Sequence, residues 1–284
     1  MMIDRRFLLG AGGALALAPF FPAIAADTKI AAQTVDLAVS ATRSTKLTVW
    51  RPAKPKGIVL FSTGHSSWPE RYGLLVDLLT ANGFAVFAPL HVDSMHYPDR
   101  AKFNPQAGFS ERLFDMKATA AYASAALPGL PVIAAGHSFG TLTALCFGGS
   151  LGYFGTFRNP AVKAVLGFST PGKIPVLVQP NAYATLAVPT LLITGTKDVV
   201  PGFAENPADH LFPIESSPAG GKFAIVLNGA DHGLVADPAQ FARVQAPVKN
   251  FLAGYAFDRT SGKTALARYK ASGADTFIVR NTAI

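Results

Sequence analysis

The chain has 284 residues, of which half are hydrophobic and 15% are charged, and its formal net charge is +8 at pH 7. This length and hydrophobic content allow one large domain or two small ones and exclude a chain that is disordered throughout. The cations are scattered, without a run of five or more Lys and Arg residues, so no nucleic-acid partner is expected. Cys146 is the only cysteine, which excludes an internal disulfide.

The first residues have the layout of an export signal. Arg5 and Arg6 precede an apolar run that ends at Ala23-Ile24-Ala25, an A-x-A cleavage site. Paired arginines before apolar residues resemble the twin-arginine type, which predicts a periplasmic or secreted protein. The alternative is a membrane anchor, but glycines and prolines interrupt the apolar stretch. The sequence therefore predicts a signal peptide over residues 1–26 and no stable membrane span after its removal.

Strands are predicted along most of the remaining chain. Two leading strands, over residues 34–42 and 46–53, are joined by a short polar turn. Short, continuous apolar runs follow, and such runs are typical of strands buried on both faces of a parallel sheet. These runs cover residues 57–61, 84–89, 131–135, 162–168, 190–194 and 223–227.

Helical patterns alternate with these runs. The first covers residues 72–79, the second follows Ser110, the third follows Ser138, and the fourth begins near Pro238 and is expected to kink or split at Pro247. This alternation predicts a doubly wound, mainly parallel α/β sheet flanked by helices, in one domain over residues 27–284.

Two further segments complete the predicted architecture. Only about twenty residues separate the runs at 162–168 and 190–194, which predicts little or no cap over the sheet. The tail from about residue 258 to 284 shows at most a short helix around 265–270, and its role is left open.

A G-x-S-x-G motif lies between the predicted strand at 131–135 and the helix that follows. In this motif Gly136 and Gly140 make room for a tight strand-to-helix turn, and Ser138 lies at its tip. The helix N-terminus behind the turn favours negative charge that develops next to the serine. The context predicts that Ser138 is a nucleophile, whereas the bare motif also occurs in ordinary glycine-rich turns.

A serine nucleophile needs a base and an acid that orients the base. Asp198 and His232 each follow a later predicted strand, and the chain order Ser, Asp, His is the one expected for this turn. Asp231 is the runner-up for the acid. His137 is expected to point away from Ser138, and His210 lies in a predicted loop without a strand before it.

An oxyanion hole requires two N–H donors. The backbone of Phe139, directly after the nucleophile, and the backbone of His65, in the loop after the run at 57–61, are the predicted donors. Four apolar residues near these positions are predicted to line the substrate site: Trp68, Val199, Val200 and Leu234.

A metal site is disfavoured. His91, Asp93, His96 and Asp99 are close in sequence but lack regular ligand spacing. No glycine-rich phosphate or dinucleotide loop is present either, so neither a metal nor an organic cofactor is predicted.

Several motifs together resemble the α/β-hydrolase superfamily, and most closely its dienelactone-hydrolase and platelet-activating-factor-acetylhydrolase-like branch. The resemblance covers most of residues 34–256 and implies Ser138 as nucleophile, Asp198 as acid and His232 as base, with the His65 and Phe139 backbones as oxyanion donors. It departs from the branch at Thr63-Gly64, where members often carry His-Gly, and at Thr141, where a small residue is common. The motifs are "VLFSTGHSSWPERYGLLVDLLTANGFAVFAPLH", "ERLFDMKATAAYASA", "IAAGHSFGTLTAL", "GTKDVVP" and "ADHGLV".

The sequence therefore predicts an exported serine hydrolase that cleaves a small-molecule or lipid-like carboxylic ester through an acyl-enzyme. One alternative keeps the same three residues and changes the chemistry to that of an acyltransferase, a thioesterase or a peptidase. The other is a non-catalytic binding protein with the same fold. No oligomeric state is indicated by the sequence.

Overall fold

The computed structural model describes residues 29–281, and the predicted export signal lies outside the described residues. Within this range nine strands form one sheet. In chain order they are β1 (Ala32–Ala38), β2 (Ser44–Trp50), β3 (Gly57–Ser62), β4 (Phe84–Pro89), β5 (Val132–His137), β6 (Val162–Phe168), β7 (Thr190–Gly195), β8 (Lys222–Leu227) and β9 (Thr276–Arg280).

The sheet has the order β1-β2-β4-β3-β5-β6-β7-β8-β9. The six central strands are mutually parallel, while β1, β2 and β9 pair antiparallel at the two ends. Every residue of β3, β4 and β7 is buried, as continuous apolar runs in a covered parallel sheet require. The prediction of a doubly wound, mainly parallel sheet is confirmed.

Helices cover both faces of this sheet. Side chains of α1 and α6 join the apolar layer on one face, and side chains of α2 and α3 join the layer on the other. The helices are α1 (Gly73–Ala81), α2 (Pro105–Ala126), α3 (Phe139–Phe147), α4 (Phe212–Ser216), α5 (Pro238–Ala242), α6 (Gln245–Phe251) and α7 (Thr260–Ala267).

The predicted break in the fourth helical pattern lies slightly earlier than Pro247. The chain leaves α5 after Ala242 and re-enters a helix at Gln245, so Pro247 lies in the first turn of α6. The first turn of a helix tolerates proline because its N–H groups have no intrahelical partner.

The C-terminal tail contains more structure than its sequence pattern predicts. Its helix α7 begins at Thr260, earlier than expected, and β9 then pairs antiparallel with β8. Phe277 of β9 stacks on Phe223 of β8, with ring centroids 6.1 Å apart. The tail therefore closes the β8 edge of the sheet.

Residues 169–189, between β6 and β7, form turns without any helix, so no helical cap lies over this edge of the described chain. Among the described residues, no helix is both long enough and apolar enough to cross a membrane.

Candidate active site

Ser138 lies at the turn between β5 and α3. Its backbone has φ 53° and ψ −125°, a positive φ that is strained for a residue other than glycine. The Ser138 N–H donates a 2.8 Å hydrogen bond to the Phe168 carbonyl at the end of the neighbouring strand β6. The turn is therefore anchored to the sheet while the serine side chain is directed outward at the N-terminus of a helix.

The two glycines of the motif are required by close backbone contacts. A Cβ on Gly136 would lie 2.2 Å from the Gly140 carbonyl oxygen, and a Cβ on Gly140 would lie 2.0 Å from the Ser62 carbonyl oxygen. Real Cβ atoms do not approach oxygen this closely, so a side chain at either position would displace the turn.

Asp198 and His232 lie in loops directly after β7 and β8, and they form a hydrogen-bonded pair. His232 Nδ1 donates to Asp198 Oδ1 at 2.7 Å, and Thr194 Oγ1 donates to Asp198 Oδ2 at 2.8 Å. Since Nδ1 carries the proton toward the carboxylate, Nε2 of the neutral ring is left as the basic nitrogen.

The charge of Asp198 is set by its surroundings. Burial by itself raises the pKa of the Asp198 carboxyl, but hydrogen bonds from His210 and His232 outweigh burial and hold the pKa well below its ordinary value. Asp198 is therefore ionised at neutral pH.

Ser138 and His232 line the same cavity, which has a volume of about 950 Å³. Within residues 29–281 no hydrogen bond joins the Ser138 hydroxyl to His232. Catalytic hydrogen bonds are often long in a ligand-free site and shorten when substrate binds. The geometry thus joins Asp198 to His232 and brings Ser138 to the cavity that His232 lines.

His137, next to the serine, contacts other parts of the site. Its Nε2 lies 3.0 Å from the His232 carbonyl, which only accepts, so Nε2 carries the ring proton. Its Nδ1 then accepts from the Tyr72 hydroxyl at 3.1 Å, and that hydroxyl accepts the Gly64 N–H at 2.8 Å. Desolvation lowers the pKa of His137 to about 3, so its ring is neutral at neutral pH.

His210 contacts the candidate site, although its sequence pattern predicts a loop outside it. It lies in the short 3-10 helix Pro207–Leu211 and is fully buried. Its Nδ1 bonds the Thr170 carbonyl, its Nε2 bonds the Asp198 carbonyl at 2.8 Å, and Nε2 is also 3.2 Å from Asp198 Oδ1. All of these partners are hydrogen-bond acceptors. Both ring nitrogens must therefore be donors, which makes His210 an imidazolium.

Asp231, the runner-up for the acid, does not contact the His232 ring. It is exposed, and its Oδ1 accepts the Gly233 N–H at 2.8 Å within its own loop. The structure therefore pairs His232 with Asp198 and leaves Asp231 as a turn residue.

The two predicted oxyanion donors are free to bind a ligand. Within the described part of the chain, neither the His65 N–H nor the Phe139 N–H donates to a protein acceptor. Phe139 is the first residue of α3, where the backbone N–H has no intrahelical partner. Both residues line the cavity beside Ser138.

The predicted substrate-lining residues are corrected at three of four positions. Val200 lies in the cavity wall, but Trp68, Val199 and Leu234 do not. Trp68 instead stacks on His96, with ring centroids 4.2 Å apart. Val199 is exposed to solvent, and Leu234 is buried in the hydrophobic core. Other residues form much of the wall, among them Arg71, Phe103, Ile174, Phe203 and Val235.

The residues considered as metal ligands have other partners. His91 donates from Nδ1 to Asp115 at 2.9 Å, and its Nε2 lies 2.9 Å from the Ser62 hydroxyl. Asp93 pairs with Arg112 at 2.7 Å. Over residues 29–281, no group of three or more metal-ligating side chains is close enough to hold an ion.

Two other potential nucleophiles are inaccessible. The Ser62 hydroxyl belongs to a Ser-His-Asp sequence of contacts with His91 and Asp115, but all three residues are fully buried. Cys146 is buried in α3, and burial raises the pKa of its thiol, which disfavours the reactive thiolate. Ser138 is therefore the nucleophile candidate that the cavity exposes.

Comparisons with known proteins agree with this architecture. No family model matches the sequence, and no curated protein matches it significantly. Among solved structures, a dienelactone hydrolase from Anabaena variabilis ATCC 29413 is similar, with a TM-score of 0.60 and 20% sequence identity. The match covers 80% of this chain and 99% of that chain. The likeness agrees with the resemblance seen in the sequence, and the chain has the α/β-hydrolase fold.

Proposed function

We propose that this protein is an exported serine hydrolase that cleaves carboxylic esters through Ser138, Asp198 and His232. The observation that carries the proposal is one cavity in which a strained serine at a helix N-terminus shares the wall with a histidine already bonded to a buried carboxylate. A histidine held in this tautomer is the base that a serine hydroxyl needs at neutral pH.

In the first half of the reaction, Ser138 Oγ attacks the acyl carbonyl while His232 Nε2 takes its proton. The Asp198 carboxylate stabilises the imidazolium that results. The carbonyl oxygen becomes negative and accepts hydrogen bonds from the His65 and Phe139 N–H groups, with the α3 N-terminus adding a favourable dipole. His232 then protonates the leaving alcohol, and the acyl-enzyme remains on Ser138.

In the second half, water takes the place of the alcohol. His232 removes a proton from the water, which attacks the acyl carbon of the ester on Ser138. The same two N–H groups stabilise the second oxyanion, and collapse of the intermediate returns the proton to Ser138 and releases the acid. Apart from the ester and water, every group that these steps use belongs to this chain.

The cavity favours an uncharged, moderately large ester. Apolar side chains such as Ile174, Val200 and Phe203 form much of its wall, and the uncapped β6–β7 connection leaves it open to solvent. The similar solved structure is a dienelactone hydrolase. Because a lactone is a cyclic carboxylic ester, lactones are tested beside open-chain esters.

The proposal is tested with the mature protein, from residue 27 onward, on p-nitrophenyl acetate, p-nitrophenyl butyrate and a lactone series. Ser138→Ala and His232→Ala should each reduce kcat by at least about 10⁴-fold, and a fluorophosphonate probe should label Ser138 alone. Two matched variants control for the loss of a nearby serine and a nearby histidine. Ser169→Ala changes the residue directly after the adjacent strand β6, and His96→Ala removes an exposed ring.

Equal hydrolysis by wild-type protein and both site variants, with no labelling of Ser138, would overturn the enzymatic proposal in favour of a binding protein. Labelling of Ser138 without ester hydrolysis would point to another acyl chemistry. In that case thioesters, peptides and added alcohol acceptors distinguish a thioesterase, a peptidase and an acyltransferase.

Export is part of the proposal and is supported by Arg5, Arg6 and the A-x-A site at 23–25. An Arg5→Lys, Arg6→Lys double variant should accumulate in the cytoplasm with its signal uncleaved. Normal export of that variant would contradict the twin-arginine assignment without affecting the proposed chemistry.

A further inference from the structure

Arg112 lies in α2, and its side chain is fully buried although none of the sequence motifs assigns it a role. We propose that Arg112 is a positioning residue that directs the His65 N–H into the oxyanion hole. The inference rests on the proposed function, since it concerns how that site stabilises an oxyanion.

The guanidinium of Arg112 uses all five of its N–H groups. Nε and one terminal nitrogen donate to the two carboxylate oxygens of Asp93, at 2.8 and 2.7 Å. The remaining three donors bond the Thr63 carbonyl at 2.7 Å, the Gly64 carbonyl at 2.9 Å and the Ser62 hydroxyl at 3.4 Å. One planar cation thus holds two consecutive carbonyls of the loop that follows β3.

These contacts determine the orientation of two peptide planes. In a trans peptide the C=O and N–H point in opposite directions, and the described chain has no cis peptides. The Thr63–Gly64 peptide is held at both ends, by Arg112 on the carbonyl and by the Tyr72 hydroxyl on the N–H. The Gly64–His65 peptide is held by Arg112 at its carbonyl, so its free N–H points the other way, as an oxyanion donor must.

Arg112 also packs against the second donor residue. Its Cζ lies 5.0 Å from the centroid of the Phe139 ring, within the range of a cation–π contact. The two N–H donors of the oxyanion hole therefore belong to segments that touch the same buried guanidinium.

Asp93 holds the guanidinium and the loop together. Its two oxygens accept from Nε and one terminal nitrogen of Arg112, and it also contacts the Ser66 N–H at 3.3 Å and His65 Nδ1 at 2.8 Å. Burial raises the pKa of Asp93, but the Arg112 charge outweighs burial and holds that pKa well below its ordinary value. Lysine could not replace this arrangement, because an ammonium group lacks the planar fork that bonds a carboxylate and two carbonyls at once.

The test compares Arg112→Lys with Arg43→Lys in the mature protein. Arg43 is a matched control because it pairs with Glu111 and Asp115 on the same helix but makes no hydrogen bond to the loop after β3. Active sites are counted by fluorophosphonate titration, so that kcat refers only to competent molecules. Inhibition is measured with a trifluoromethyl ketone, which forms an oxyanion adduct with serine. The control inhibitor is a matching ether that has a methylene group in place of the reactive carbonyl and cannot form the adduct.

Arg112→Lys is expected to lower kcat per active site about 10²–10³-fold, as loss of one oxyanion donor does, with KM within about twofold. Affinity for the trifluoromethyl ketone should fall by a similar factor while affinity for the ether stays unchanged. If Arg112 had a merely structural role, the variant would have fewer active sites. Its affinity for the ketone relative to the ether would then equal that of the wild type. Arg43→Lys should behave like wild type in all four measurements.

A folded Arg112→Lys protein with wild-type kcat per site and wild-type ketone affinity would overturn the inference. If that variant does not fold, Asp93→Asn provides a second test, because the neutral amide weakens the ion pair that holds the guanidinium in place beside the Thr63 and Gly64 carbonyls. Unchanged ketone affinity in Asp93→Asn would likewise contradict the role of Arg112. A wild-type protein that neither hydrolyses esters nor is labelled at Ser138 would refute the proposed function and this inference together. If the wild type is active, the results of the variants bear on the inference alone.

Discussion

His210 Nε2 lies 3.2 Å from Asp198 Oδ1, the same oxygen that accepts the 2.7 Å hydrogen bond from His232 Nδ1. One buried carboxylate oxygen therefore contacts two imidazole rings. Of these two histidines, His232 lines the cavity and His210 does not. His210 therefore contacts Asp198 from another side, as a cation that favours the ionised carboxylate.

The first prediction concerns His210→Gln. Although burial lowers the pKa of His210, the Asp198 contacts outweigh it and the pKa is raised above its ordinary value of 6.5. The proton on His210 therefore stabilises the fold fully below about pH 6.5, and this contribution is lost as pH rises through the raised pKa. The variant should lose about 1–3 kcal/mol of unfolding free energy at pH 5.5, and the difference from wild type should shrink toward pH 9.

Urea unfolding across that pH range measures the difference, and His96→Gln, which replaces an exposed histidine, is the control. A difference between wild type and His210→Gln that is constant or grows with pH would contradict the assignment of an imidazolium at His210.

The second prediction distinguishes the two candidates for the acid that orients His232, Asp198 and Asp231. Asp198→Asn should lower kcat about 10³–10⁴-fold with little change in KM, because an amide no longer holds His232 in the required tautomer. Asp231→Asn alters an exposed residue that bonds only within its loop and should retain kcat within about threefold. Steady-state kinetics on p-nitrophenyl butyrate measure both, and a reversed order of the two effects would assign the acid to Asp231.

The third prediction concerns acid stability and His137. Its pKa is lowered to about 3 in the folded protein, against 6.5 ordinarily. The unfolded chain binds this proton more readily than the folded protein does. The free energy of unfolding should therefore decrease as the pH is lowered from about 6.5 to 3, and His137 should contribute up to about 1.4 kcal/mol per pH unit to this decrease. In His137→Gln, which keeps one donor and one acceptor, the slope should be smaller.

Urea unfolding at pH 4, 5 and 6 measures the slope for wild type and His137→Gln. Equal slopes would show that His137 does not contribute to the acid sensitivity of the fold. His96→Gln serves again as the control, since its ring lies on the surface.

The fourth prediction tests the tight turn at Ser138. Gly140→Ala would force a Cβ to within 2.0 Å of the Ser62 carbonyl oxygen, so it should cost about 3 kcal/mol or more of stability. Gly73→Ala, at the start of α1, meets nothing within 4 Å and should change stability by at most about 1 kcal/mol, in the stabilising direction. Thermal unfolding of both variants measures the contrast, and similar melting temperatures would contradict the packing argument.

Local sequence rules predicted much of the fold and the position of the candidate site. Short apolar runs identified every parallel strand, because strands covered on both faces consist mostly of apolar residues. The glycine spacing around Ser138 indicated the turn, because each glycine meets backbone atoms of a neighbouring segment. Parallel strands end at one edge of the sheet, so residues directly after β5, β7 and β8 could be expected to lie together.

The partners of those residues could not be predicted from the sequence. His210 and Arg112 lie in helical segments away from the strand ends, and only packing of those segments against the loops brings their nitrogens to Asp198 and to the carbonyls after β3. Trp68 and Leu234 show the converse, since they are adjacent in sequence to site loops yet face His96 and the core.

The sequence by itself thus determined which residues follow the strands and where the chain must turn, because those features depend on periodicity and on the space around glycine. Only the tertiary structure decided which buried charges hold Asp198 and the loop after β3 in position. The physical reason is that a buried charge takes its partners from whichever segments the fold brings near it, whatever their separation along the chain.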